Sequence, residues 1–135
     1  MSKKVRVFLF LFGCWIFFSW GFRLYILAIR WTTDPFRFRT LLFALVFLTI
    51  GFFLVRLGKR GVIADQKEIA ALLFSSLFIV LYFGIRLFRS FLYPDIDPNP
   101  RSHLHLSVTY IVLGLSLFAI AMTERIKRSK QRAID

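Results

Sequence analysis

Gly21-Phe22-Arg23-Leu24-Tyr25, running on to Asp34-Pro35, recurs 63 residues later as Gly84-Ile85-Arg86-Leu87-Phe88, running on to Asp97-Pro98. In both copies an arginine interrupts a long apolar run near its end, and an Asp-Pro pair then opens the next run. A guanidinium inside such a run is costly unless it reaches water, a headgroup or a partner, which makes Arg23 and Arg86 the first residues to question. Shifted on itself by 63 positions, the chain has 14 identities in 72 pairs, five of them between Gly21/Gly84 and Pro35/Pro98. The pattern reads as one unit written twice.

The 135 residues leave room for one domain's worth of chain, and 58% of them are hydrophobic, well above the apolar share of a water-soluble domain. Four apolar runs approach the length that crosses the hydrocarbon of a bilayer as a helix. They predict spans over about 7–29, 36–57, 69–92 and 102–122. Inside lipid the backbone must satisfy its own hydrogen bonds, and runs without alternating polarity exclude a barrel, so the spans are helices. The expected fold is an all-α integral membrane protein of four transmembrane helices in two tandem antiparallel hairpins, residues 1–61 and 62–135, the second ending in a basic cytoplasmic tail.

Charge sets the orientation. Lys3, Lys4 and Arg6 precede the first span, Arg56, Lys59, Arg60 and Lys67 lie between the second and third, and five Lys and Arg follow the fourth. These twelve cations, with every lysine among them, outweigh seven arginines on the other side, which predicts cytoplasmic termini in a bacterial inner membrane. Trp31 fits the far interface, and Asp34 and Pro35 suit the cap and first position of the second helix. The prolines of 94–100 deny that connection a helix.

Two further patterns follow. Ala44, Gly51 and Gly58 repeat every seven residues in the second span, and Ser107, Gly114 and Ala121 do so in the fourth. Seven residues are two helical turns, so each triplet forms a narrow stripe along which another backbone can approach, in the way membrane helices pack. The expectation is that the second and fourth spans pack against each other or against a partner. At the outer rim the seven arginines offer a collecting surface for an anion, a phosphorylated lipid or an acidic partner, and Arg23 and Arg86 have two further readings. They snorkel to lipid phosphate, or they pair with Asp34 and Asp97 in a clasp that a guanidinium fork suits geometrically.

Catalytic and cofactor chemistry finds little footing. His103 and His105 stand two apart, on nearly opposite sides of a helix, so they do not chelate one ion. Cys14 lies in an apolar run with no neighbouring base. Leu11-Phe12-Gly13-Cys14 has the outline of a lipoprotein cleavage box, yet the apolar run continues past the cysteine, as in a retained anchor. No phosphate-cradling glycine loop or metal-spaced cluster occurs, so neither an enzyme nor a cofactor is expected. The expected role is that of a small non-enzymatic multi-pass protein, an accessory, assembly or regulatory subunit of a membrane complex. Its expected partners are membrane lipids and either another membrane protein or further copies of itself, and not nucleic acid. The alternative is a homo-oligomeric transporter or channel with an arginine-lined outer vestibule for an anion.

Overall fold

The computed structural model describes residues 1–93 and 100–134, the side chains of 100–103 excepted. Among the described residues the chain consists of four long helices: α1 (Lys3–Ile29), α2 (Arg37–Arg60), α3 (Gln66–Leu92) and α4 (Pro100–Ile134). All four are long and apolar enough to cross a membrane. Asp97 and the rest of 94–99 lie outside the described residues.

Local chemistry sets the helix ends. Ser2 caps α1, its Oγ accepting from Val5 N at 3.3 Å. α2 stops at Gly61, which takes the left-handed φ of 78° and donates its N–H to Leu57 O, the αL close that glycine adopts without a Cβ penalty. Asp65 caps α3 by accepting from Glu68 N at 3.0 Å, while Glu68 reaches back to accept from Ala64 N at 2.8 Å. This is a capping box with its return bond shifted one residue outward. α3 therefore starts at Gln66 and absorbs residues expected in the polar link. α4 likewise carries the basic tail as helix, 35 residues in all, because Ser, Glu, Arg, Lys, Gln and Ala do not break one.

One expected cap moves. Asp34 does not cap α2 directly; its Oδ1 accepts from Phe36 N at 2.9 Å, a tight turn of the chain. Phe36 stands at the N-cap without a side-chain bond, its carbonyl accepting from Thr40 N, and Arg37 is the first helical residue.

The chain forms two compact units, 1–63 and 64–135. In the first, α1 and α2 run in opposite directions with their backbones nearly touching. A Cβ added to Gly13 would lie 2.7 Å from both Gly51 O and Val55 N, and one on Gly58 would lie 2.8 Å from Phe10 N. The α2 stripe of Ala44, Gly51 and Gly58 is thus taken up by α1, its own neighbour, and Gly13 answers it from the other side. Arg6 closes the far end, its Nη2 donating to Lys59 O at 3.1 Å and its Nε to Gly58 O at 3.4 Å. These carbonyls belong to the last turn of α2, where a cation is favoured by unpaired C=O groups and the helix dipole.

In the second unit α3 packs on α4, again in opposite directions. Ser107 and Ala121 are buried, and so is Gly114. What lies nearest Gly114 differs from the first unit: its Cβ would meet side chains first, Val80 Cγ2 at 2.9 Å and Ile79 Cγ2 at 3.1 Å. The position 63 after Gly13 is Ser76, fully buried, its hydroxyl folded back onto Leu73 O at 2.8 Å.

This contrast sets an order of tolerance. Gly13→Ala drives a Cβ into backbone and is expected to cost about 1–3 kcal/mol, as overpacking does. Gly114→Ala is expected to cost less, since methyl groups yield. Gly21 and Gly84, where an added Cβ would have nothing within 4 Å, should be unchanged as alanine or gain about 0.5–1 kcal/mol. Reversible unfolding in mixed detergent micelles measures the series, and equal losses at Gly13 and Gly21 would contradict it.

Candidate functional site

Toward the middle of α1 and α2, Trp20 and Phe47 stack face to face, centroids 4.2 Å apart and planes 4° from parallel. Both are essentially buried, Trp20 at 1% and Phe47 at 0% exposed. The second unit has the same element: Phe83 stacks on Tyr110 at 4.1 Å and 6°. The two pairs are separated by 63 residues on each side of the stack, Trp20 to Phe83 and Phe47 to Tyr110. Sequence identity does not mark them, because the residue type changes at both pairs of positions.

The coincidence extends along both helices. Leu9, Phe12, Gly13, Ile16 and Trp20 are buried in α1, and Leu72, Ser75, Ser76, Ile79 and Phe83 in α3. Ala44, Phe47, Gly51, Leu54 and Gly58 are buried in α2, and Ser107, Tyr110, Gly114, Leu117 and Ala121 in α4. Each residue of the second set follows its counterpart by 63.

Arg23 lies one turn beyond the first stack, its Cζ 4.6 Å from the centroid of the Trp20 ring. The indole face is the electron-rich surface a guanidinium seeks, and a ring held flat by Phe47 presents it without loss of freedom. Arg86, the corresponding residue of α3, is half-buried. Asp97, one of the two carboxylates expected to pair with Arg23 and Arg86, lies outside the described residues.

Beyond Arg23 the connection is closed by its own hydrogen bonds. The Arg30 carbonyl accepts from Thr33 N at 3.1 Å, Asp34 N at 2.9 Å and Thr33 Oγ1 at 3.2 Å. Arg37 Nη1 donates to Trp31 O at 3.3 Å, with its Cζ 5.6 Å from the Trp31 centroid and 5.3 Å from that of Phe38. Arg39 stands over Phe36 at 4.6 Å. In this rim Arg23, Arg37 and Arg39 thus each lie against an aromatic face.

These elements enclose an open hollow of about 190 Å³ lined by Arg23, Ile26, Leu27, Arg30, Asp34 and Thr40. Arg23 and Asp34, singled out in the sequence, come together in it. Arg30, seven positions after Arg23 and so on the same helix face, is legible from that spacing, whereas Thr40 was missed as a site residue. No group of three His, Cys, Asp or Glu able to hold a metal ion occurs among the described residues, and Cys14 is a half-buried free thiol. No protein-family model matches the chain, and neither does any curated protein or solved structure.

The support of Arg23 by Trp20 is open to measurement. A double-mutant cycle of Arg23→Gln with Trp20→Leu, read by unfolding in micelles, is expected to give a coupling of about 0.5–2 kcal/mol. A coupling near zero would mean that the guanidinium gains nothing from the ring.

Proposed function

We propose that the chain is a non-enzymatic protein of the bacterial inner membrane, built from a duplicated hairpin with both termini cytoplasmic, which acts by lateral association as a subunit of a membrane complex. Membrane insertion is supported by how the apolar surface is distributed. Between 28% and 39% of each helix's most apolar window is buried, so most of it faces outward. Phe18, Phe22, Phe74 and Phe91 are 74%, 63%, 66% and 70% exposed. Isolated exposed apolar side chains are ordinary, but rings and aliphatics covering every helix are tolerable only in lipid or against other helices. Duplication is supported by the paired stacks and the buried positions that recur at an interval of 63.

The observation that carries association is the pair of open glycines. Gly13, Gly51 and Gly58 are used up inside their hairpin, whereas Gly21 and Gly84 face outward with nothing within 4 Å. Gly21 is flanked by Phe18, Phe22 and Tyr25, and Gly84 by Leu81, Ile85 and Phe88, all more than half exposed. Each is a notch in an apolar ridge where another helix can approach closely, and close packing is what holds helices together where lipid is as apolar as leucine.

Association is tested at native expression in mild detergent. A stoichiometric membrane-protein partner or a defined homo-oligomer is expected, and Gly21→Leu with Gly84→Leu should reduce it about tenfold, the ratio given by ~1.4 kcal/mol, while leaving hairpin unfolding unchanged. Recovery of the isolated chain alone would overturn the reading. Anion flux in liposomes that vanishes in Arg23→Leu would transfer the role to transport. Alkaline phosphatase fused after Asp97 should be active and fused after Arg128 inactive; the reverse inverts the topology.

A further inference from the structure

We propose that the hollow at the loop end of the α1–α2 hairpin binds the headgroup of a phospholipid bearing a primary amine, phosphate on Arg23 and Arg30 and ammonium on Asp34 and Thr40. This rests on the membrane reading above and adds a ligand to it.

The hollow's composition selects the ligand. Arg23 in α1 and Arg30 at its C-cap, seven residues apart and so about 10 Å of helical rise between their Cα atoms, both line a space walled by Ile26 and Leu27, and side chains this long can converge across that interval. Guanidiniums bind phosphate oxygens through paired N–H donors. A hollow built only for an anion would not include a carboxylate, yet Asp34 lines this one. A group carrying a phosphate and a hydrogen-bonding cation satisfies both. At about 190 Å³ the space is below the range that takes a drug-sized molecule, and suits a headgroup whose acyl chains stay in the bilayer.

The groups are also held in place. Asp34 is fixed through Oδ1 by Phe36 N and through its own N–H by the Arg30 carbonyl, each at 2.9 Å. That second bond ties the Asp34 backbone to that of Arg30. Arg23 rests on Trp20. Thr40, whose N–H donates to the Phe36 carbonyl in the first turn of α2, lines the hollow from the second helix. Trp31, an aromatic residue of the kind found at headgroup level, lies just beyond with Arg37 against it.

Other lipids fit less well. A choline nitrogen is fully methylated and has no N–H for Asp34 or Thr40. A glycerol headgroup offers Asp34 no charge and adds a net anion beside it. Free phosphate uses the arginines and leaves the carboxylate opposed to it.

The full-length chain, purified with equimolar phosphatidylethanolamine, phosphatidylcholine and phosphatidylglycerol, is read by native mass spectrometry for retained lipid. Phosphatidylethanolamine is expected to exceed each of the others about tenfold, a ratio within the reach of one charge-assisted contact. Arg30→Gln, at an exposed position, should reduce that retention about as much. Asp34→Asn keeps an oxygen for Phe36 N and should abolish the preference over phosphatidylcholine with helix content intact. Equal retention of the three lipids, preference for phosphatidylglycerol, or an Asp34→Asn chain that still discriminates would overturn the proposal. Displacement by equimolar soluble phosphorylethanolamine would overturn the lipid as the source. Vesicle flotation separates the two readings: a chain that floats without headgroup preference removes this site alone, and one that does not float removes the membrane reading as well.

Discussion

The α1–α2 unit depends on one close approach, the Gly13 backbone against that of Gly51 and Val55. Two helices can come this near only where neither has a side chain between them, and the approach then sets the separation of everything above and below it. One to two turns toward the connection, Trp20 and Phe47 stack in parallel, both buried. At the opposite end it brings Arg6 over the closing turn of α2, so tightly that a Cβ on Gly61 would lie 2.6 Å from the guanidinium Nε. Glycine at position 61 therefore meets two demands, the positive φ and the space for Arg6.

In a membrane these contacts matter more than their size in water suggests. Apolar burial supplies little when the alternative to a neighbouring helix is a lipid chain, so dispersion between close backbones and polar groups placed on unsatisfied carbonyls take over. The seam uses both: glycines and rings along its length, a guanidinium on orphan carbonyls at one end, and a self-bonded turn around the Arg30 carbonyl at the other. The order in which the parts depend on each other runs from seam to stack to rim. Arg23 has a ring to rest on because Trp20 is held flat, and Trp20 is held flat because the helices are close.

Much of this is legible in residues that are identical or small, and little of it in residues that are neither. The stripe Ala44, Gly51, Gly58 is visible because smallness at seven-residue spacing has one structural meaning. Its target differs from the expected one: the stripe belongs to α1, and the glycine that shows this, Gly13, stands alone in its helix with no periodic companion to reveal it. The stacks escape notice because shape is shared between Trp20 and Phe83, and between Phe47 and Tyr110, while identity is not. Arg6 is legible only as one positive charge in a topology count; that it reaches Lys59 across 53 positions is a property of the hairpin's register. The helix ends depart from expectation in a systematic direction. Hydropathy ends where charge begins, but capping by Asp65 with Glu68 carries α3 into polar sequence, and a tail rich in Lys, Arg and Gln continues α4 without a break.

The differences between the two units tell as much as their likeness. Where α1 has Gly13, α3 has Ser76, its hydroxyl turned onto its own helix, and Gly114 meets methyl groups where Gly51 meets backbone. At Gly114 the α3–α4 seam meets side chains first, which can adjust, whereas at Gly13, Gly51 and Gly58 the α1–α2 seam meets backbone first, which cannot. A site whose charges must keep a fixed spacing requires the second kind of support, because a shift of the helices would move Arg23 relative to Asp34. A helix pair that carries a long basic extension, with Arg128 donating to Ala64 O at 3.4 Å across its base, has less need of it. Rigidity and the mixed-charge hollow occur in the same unit, and the physical link between them is the separation that Gly13 permits.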